Sequence, residues 1–186
     1  MLIFTDTEFT GLHKNNTLIS IGLVSGNGEK FYAEFNDYNK SQCDEWIHEN
    51  VIAKLKWNDI DVFFEADTET NTTYVKNDKK HVSILLHKWL SKFSKIEFWG
   101  DVIAYDWVLF MDLLGMGSPM RIMPKNFTSY QAYDIFTALR MKGLNSRENR
   151  HVLLGLENKI NQHNSLYDAE IIKMLHEKFV AVPTVS

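Results

Sequence analysis

The sequence predicts an α/β fold built on a mixed central sheet. Three apolar segments near the amino terminus have the length and composition of strands, and the tight-turn sequence Gly26–Gly28 separates two of them. Beyond them, segments with helical spacing of apolar residues alternate with one more short apolar run. Consecutive strands joined by short turns indicate an antiparallel meander, and the later alternation indicates helices that flank the sheet.

Length and composition limit the classes of protein. The 186 residues, 45% of them hydrophobic, predict a single domain over residues 1–186 with a substantial core. A net charge of −4 argues against binding nucleic acid by bulk positive charge, but allows an enzyme that offsets phosphate charge with metal ions. Cys43, the single cysteine, excludes an internal disulfide and fits a cytoplasmic location. The opening residues do not resemble a signal peptide, and no apolar run approaches the roughly 20 residues that span a bilayer.

Each element is predicted from its own pattern. Strands are expected at Leu2–Phe4, Leu18–Ser25, Lys30–Phe35 and Ile96–Trp99, where apolar and β-branched residues cluster. Residues 66–80 are polar and aperiodic, which predicts an exposed loop. Helices are expected where apolar residues recur every three or four positions: Cys43–Leu55, His81–Phe93, Ala104–Leu114, Gln131–Met141 and Asn164–Val180. In the second of these the predicted apolar stripe is Ile84, Leu85, Trp89 and Phe93.

The first strand leads into two acids, Asp6 and Glu8. Side chains two apart on a strand share a face, roughly 6 to 7 Å apart along the chain. Two carboxylates side by side repel each other unless a proton or a cation intervenes. Hard divalent cations such as Mg²⁺ bind oxygen ligands of this kind, so the pair predicts a metal site that needs further ligands.

Two helices place further acids on their apolar faces. Asp106 shares a face with Leu109, Phe110 and Leu113, and Asp168 shares one with Ile171, Ile172 and Leu175. A buried aspartate bonded to backbone would explain Asp106 alone, and the helix dipole would explain Asp168 alone. Four acids at positions where the pattern predicts apolar residues favour a metal cluster instead. His163, just before the last helix, is either an ordinary rim histidine or a general base for that cluster.

Three motifs, in this order and spacing, carry a family resemblance: Asp6-Thr-Glu8, Gly100-(five residues)-Asp106 and His163-(four residues)-Asp168-Ala169. Together they resemble the DEDDh 3′→5′ exonucleases, the group of ribonuclease T, oligoribonuclease and proofreading exonucleases. The resemblance spans nearly the whole chain, and within this group the chain is most similar to the small phage and bacterial exoribonucleases. It implies a ribonuclease H-like fold and release of 5′-mononucleotides from the free 3′ end of single-stranded nucleic acid, with RNA favoured. A homodimer is a further possibility within this group.

The resemblance also implies a role for each site residue. Asp6, Glu8 and Asp168 would hold one divalent cation, Mg²⁺ or Mn²⁺. Asp6 would bridge to a second cation that Asp106 supports, and His163 would take the proton from the attacking water. The terminal nucleotide would contact the residues that follow the acidic pair, namely Phe9, Thr10, Gly11 and Leu12. For Phe9 and Leu12, plain core packing is an equal alternative.

One position departs from the family pattern. Asp101 stands where the second motif commonly has asparagine, which raises the question of which acid is the ligand. Asp106 is the better candidate, because it heads an apolar helical stripe and Asp101 does not. Basic residues before His163 could contact phosphate, although a solvated segment is the simpler interpretation: Arg140, Lys142, Arg147 and Arg150.

Two other functions remain open at this point. The chain could be a catalytically silent member of the same fold that binds nucleic acid, for which Asp101 is the only hint. An aspartyl phosphatase also places acids after a strand, usually as Asp-x-Asp. Glu8 in place of the second aspartate, and the lack of an obvious later lysine motif, argue against that enzyme.

Overall fold

The computed structural model describes residues 1–115, 125–129, 131–156 and 162–181. Within these residues seven strands form one mixed sheet in the order β4-β5-β3-β2-β1-β6-β7. The strands are β1 (Leu2–Phe9), β2 (Leu18–Ser25), β3 (Lys30–Phe35), β4 (Phe63–Asp67), β5 (Thr72–Asn77), β6 (Glu97–Gly100) and β7 (Tyr133–Asp134). The first three are antiparallel neighbours, so the predicted meander is confirmed. The pairs β1–β6, β3–β5 and β6–β7 are parallel.

Helices cover both faces of this sheet. The α-helices of the described residues are α1 (Glu45–Asn50), α2 (Lys79–Leu90), α3 (Ala104–Gly115), α4 (Ile135–Met141), α5 (Arg150–Leu154) and α6 (Ser165–Leu175). Apolar residues of α2 and α3 pack with Ile3 in the larger core cluster. Apolar residues of α4 and α6 pack with Phe4 on the other face. A short 3-10 helix, Ile52–Lys54, follows α1, and a π-helical turn, His176–Val180, follows α6.

The predicted loop at residues 66–80 is wrong. These residues contain the end of β4, all of β5 and the start of α2. The turn between the two strands is closed by Asp67, whose carboxylate accepts the backbone N–H groups of Glu69 (2.8 Å) and Thr70 (3.2 Å). The prediction failed because β4 is an edge strand with mostly exposed side chains, which needs no apolar pattern.

Three predicted helices differ from the structure in their limits, and the one predicted at 131–141 begins only at Ile135, after β7. The second predicted helix begins at Lys79, because Asp78 caps it by accepting the N–H of His81, and it ends at Leu90. Its buried face includes Val82 and Leu86, whereas Ile84 is 58% exposed. The predicted helix at 43–55 is divided into α1 and the 3-10 helix after it.

Candidate active site

The acids of β1 lie at the centre of the sheet, next to the start of α6. Ligand oxygens of Asp6, Glu8 and Asp168 all lie within 4.8 Å of one another. Asp6 and Glu8 are two residues apart on one strand, so they share the face that α6 covers. The structure thus brings three of the four predicted acids into one cluster.

A glycine on β2 allows α6 to reach this position. Gly22 pairs with Asp6 across the sheet, and a Cβ on it would lie only 2.3 Å from the carbonyl oxygen of Ser165. Ser20 and Ser165 also share a hydrogen bond of 2.9 Å. Because the first turn of α6 rests directly on β2, Asp168 in that turn is held beside Asp6 and Glu8.

Asp106 approaches β1 from the side. β6 ends at Gly100 and pairs with β1 only from Leu2 to Phe4, so the later residues of β1 have no strand neighbour there. At this unpaired edge of β1, Asp106 Oδ1 accepts hydrogen bonds from the backbone N–H of Thr7 (2.9 Å) and from the Thr7 hydroxyl (2.6 Å). Asp106 lies outside the 4.8 Å cluster but lines the same cleft.

His163 lies at the lip of the cleft. Its backbone has a left-handed conformation, with φ of 66°, and its N–H donates to Asp168 Oδ2 at 2.8 Å. Its ring meets the indole of Trp46 edge-on, with ring centroids 5.0 Å apart. The five residues of the predicted catalytic set therefore border one cavity.

That cleft has a volume of about 470 Å³. Its walls combine the acids with an apolar side formed by Trp46, Ile47 and Val51. A mostly apolar cavity with a few converging polar groups is the usual form of a ligand site. The apolar spacing of the helix predicted at 43–55 places all three on its apolar stripe, but Trp46 is 53% exposed. The lining is Asp6, Thr7, Glu8, Phe9, Gly11, Leu12, Asp44, Trp46, Ile47, Val51, Asp106, His163 and Asp168.

Comparison with known proteins identifies the family. A model of the 3′-5′ exoribonuclease Rv2179c-like domain matches residues 1–180. The chain belongs to the Rv2179c-like 3′-5′ exoribonuclease family. Two relatives, the 3′-5′ exoribonucleases Rv2179c and MT2234.1 from two strains of Mycobacterium tuberculosis, are 27% identical over 126 residues. That match covers 67% of this chain and spans 66% of the length of each relative, just under two thirds.

The fold of this family member also recurs in a solved structure. A chain in the structure of the yeast NOT1 MIF4G domain co-crystallized with CAF1 matches with a TM-score of 0.54. The alignment covers 95% of this chain and 77% of the yeast chain at 16% identity. The likeness at this identity shows a common fold. Among the described residues of this Rv2179c-like chain, no helix is long and apolar enough to cross a membrane.

Three of the four residues predicted to meet a terminal nucleotide line the cleft of this Rv2179c-like domain. Phe9, Gly11 and Leu12 do so, and Leu12 is 76% exposed. Thr10 does not line the cleft, because it is buried (1% exposed) and its side chain forms hydrogen bonds with neighbouring loop residues. Its hydroxyl donates to Gln42 Oε1 at 2.7 Å and accepts the N–H of Thr17 at 2.9 Å.

Asp101 borders the acids from the other side. Its two oxygens accept hydrogen bonds from Nε (2.5 Å) and Nη2 (2.7 Å) of Arg150. The same guanidinium donates to the carbonyls of Ser146 and Glu148. Arg150, predicted as a possible phosphate contact, therefore neutralises Asp101 instead. The pair lines a second cavity of about 230 Å³ that shares Asp6, His163 and Asp168 with the first.

The acids have strongly perturbed protonation equilibria. Burial, and then the charges of Asp106, Asp168 and Glu8, raise the pKa of Asp6 well above its usual range. Burial and then Asp168 and Asp106 raise the pKa of Glu8 to about 8, and burial is also the main cause that raises the pKa of Asp168 to about 7. Burial raises the pKa of Asp106 too, against the opposing bonds from Thr7. Carboxylates in this state are ionised together most readily when a cation is present.

This donor set fits hard divalent cations. It offers only carboxylate oxygens, three of them within 4.8 Å, and their mutual repulsion is the kind that bound Mg²⁺ or Mn²⁺ relieves. His163 differs from the acids. Burial, and then the positive charge of Lys54, lower the pKa of its ring, so it is neutral near pH 7 and able to accept a proton.

Proposed function

We propose that this chain is a metal-dependent 3′–5′ exonuclease of the DEDDh type with a ribonuclease H-like fold. Its substrate is single-stranded nucleic acid, with RNA favoured, and its products are 5′-mononucleotides. The observation that carries the proposal is the convergence of Asp6, Glu8, Asp106, Asp168 and His163 on one cleft. Membership of a family described as 3′-5′ exoribonucleases supports both the reaction and the preference for RNA.

In this proposal the acids have different tasks. Asp6, Glu8 and Asp168 would hold one divalent cation, and Asp6 and Asp106 would hold a second. Both hydrogen bonds from Thr7 end on Oδ1 of Asp106, so neither of them occupies Oδ2. Two bound cations would stabilise the charge that develops on the attacking and leaving oxygens of the phosphodiester. Asp101 is not assigned to this set, because Arg150 engages both of its oxygens.

His163 is the general base in this proposal. Its ring accepts the proton of the water that attacks the terminal phosphodiester. The bond from its backbone N–H to Asp168 holds the turn that carries the ring beside the acids, and the lowered pKa of the ring keeps it neutral at physiological pH. One residue thus couples the metal-binding helix to proton transfer.

The apolar end of the cleft holds the terminal nucleotide. Phe9, Gly11, Leu12 and Trp46 all line this cleft. Aromatic side chains bind bases of any identity by stacking. We therefore expect little base specificity.

The test compares Asp6→Asn with Asp59→Asn, an exposed acid that serves as the matched control. Hydrolysis of 5′-labelled single-stranded RNA, single-stranded DNA and a duplex with a 3′ overhang is followed with Mg²⁺ or Mn²⁺ and with EDTA. The wild type and the control should shorten RNA from its 3′ end only with metal, and Asp6→Asn should lose at least about 100-fold in rate. Equal activity of Asp6→Asn would refute the proposal. Binding of RNA without turnover in Mn²⁺ would favour a silent nucleic-acid-binding module.

A further inference from the structure

Lys54, a residue outside the predicted catalytic set, connects one wall of the cleft to the catalytic turn. It closes the 3-10 helix that follows α1, and its Nζ donates to the carbonyl oxygen of Gln162 at 2.6 Å. The two residues are 108 positions apart, and Gln162 directly precedes His163. This partly buried lysine is therefore bonded to the peptide unit that leads into the proposed base.

The turn that Lys54 holds needs external support. His163 has a φ of 66°, which is uncommon for a residue other than glycine. Such a backbone persists where the surrounding contacts fix it, and here two contacts do so from opposite sides. The Lys54 ammonium bonds the carbonyl before His163, and Asp168 accepts the N–H of His163 itself at 2.8 Å.

The segment that carries Lys54 is itself anchored to the sheet. Glu34 on β3 is 0% exposed, and its Oε1 accepts the backbone N–H of Lys56 at 2.5 Å and the hydroxyl of Tyr32 at 2.9 Å. Lys76 on β5 donates to the carbonyl oxygen of Trp57. Glu34 and Lys76 also form a buried ion pair, with 3.7 Å between Oε2 and Nζ. A buried ion pair is costly unless hydrogen bonds support it. The bonds from this pair fix the backbone at Lys56 and Trp57, two and three residues beyond Lys54.

We infer that Lys54 is a positioning residue for the proposed exonuclease reaction, since it fastens the His163 turn to the sheet-anchored wall of the cleft. A continuous series of contacts runs from Glu34 through the backbone at Lys56 and Lys54 to Gln162 and His163. The edge contact between Trp46 and His163 joins the same wall to the same turn. Lys54 thereby places the base relative to the acids and to the nucleotide wall at once.

The inference rests on the proposed function, and its test separates the two. Lys54→Met removes the donor and the charge but has a similar length. Lys54→Gln removes the charge and has a shorter side chain. Lys54→Arg keeps both the charge and a hydrogen-bond donor. Lys80→Met, an exposed lysine on α2 at the opposite face of the sheet, is the matched control. Steady-state hydrolysis of RNA at saturating Mn²⁺ should show kcat lowered between about 10- and 100-fold in Lys54→Met and Lys54→Gln.

KM should stay within about twofold in these variants, because no substrate contact is lost. Lys54→Arg should recover most of kcat, and Lys80→Met should match the wild type. A raised KM with unchanged kcat would overturn the inference in favour of a substrate contact. An arginine variant as impaired as the methionine variant would also overturn it.

Amide hydrogen exchange provides a readout that does not need activity. The N–H of His163 is bonded to Asp168, and loosening the turn should speed its exchange at least about tenfold in Lys54→Met and Lys54→Gln. Lys80→Met should leave that rate unchanged. A wild type that is inactive on every substrate would refute the proposed function. An unchanged exchange rate of the His163 N–H in Lys54→Met and Lys54→Gln would refute the positioning role.

Discussion

The Thr7 side chain acts directly on a proposed metal ligand, Asp106. Thr7→Val keeps the shape and the backbone N–H but removes the hydroxyl that donates to Asp106 at 2.6 Å. A hydrogen bond to a charged group contributes about 1.5–3 kcal/mol, so we expect kcat to fall by about tenfold or more. Thr7→Ser, which keeps the hydroxyl, should stay near the wild type. Kinetics on RNA check this, and equal rates for the serine and valine variants would contradict it.

Residue patterns predicted which acids meet in the cleft better than they predicted its walls. Asp106 and Asp168 could be found in sequence because each interrupts an apolar helical stripe, and the structure places both beside β1. Trp46 and Lys54 carry no such mark. An exposed tryptophan on a helix of six residues and a lysine after it are ordinary in sequence, and only their contacts with the His163 turn distinguish them.

At the scale of elements, the approach of α6 to β2 decides where Asp168 lies. Gly22→Ala would place a Cβ 2.3 Å from the Ser165 carbonyl oxygen and 2.4 Å from Leu166 Cα. Backbone atoms cannot yield without moving the helix, so we expect a loss of about 1–3 kcal/mol in the free energy of unfolding and a large loss of activity. Gly26→Ala is the matched control, because its Cβ would meet Met1 Sδ at an ordinary 3.6 Å.

Denaturant unfolding and RNA hydrolysis measure both effects of the Gly22 substitution. The control should stay within about 0.5 kcal/mol of the wild type and keep its activity. A Gly22→Ala protein with normal stability and rate would contradict the close packing of α6 on β2.

Elements were predictable where burial leaves a pattern. β2 and β3 match their predicted limits because every residue of β2, and all of β3 after Lys30, is buried. The hairpin of β4 and β5 was missed because an edge strand can be polar, and Val75, which is 0% exposed, is too isolated in sequence to reveal it. The predicted start of α2, His81, is two residues too late. The capping residue Asp78 determines where the helix begins, and the apolar stripe does not.

At the scale of the whole molecule, the acidic cluster links folding to pH and to metal. The folded-state pKa values of Glu8, about 8, and Asp168, about 7, lie above the usual values of 4.5 and 3.8. Between those limits the metal-free folded state binds more protons than the unfolded state does. Its stability therefore falls as the pH rises through this range, and the contributions of Glu8 and Asp168 to that fall are complete above about pH 8.

A divalent cation should reverse this cost, since it binds the ionised acids of the folded state only. We expect Mg²⁺ or Mn²⁺ to raise the melting temperature more at about pH 8 than at about pH 6, where protons compete for Glu8 and Asp168. Asp6→Asn removes one charge from the cluster, so its metal-free form should be more stable than the wild type at the higher pH and gain little from metal. Asp59→Asn should behave as the wild type. Thermal unfolding with metal and with EDTA measures these shifts, and an equal metal effect in Asp6→Asn would show that the cation binds elsewhere.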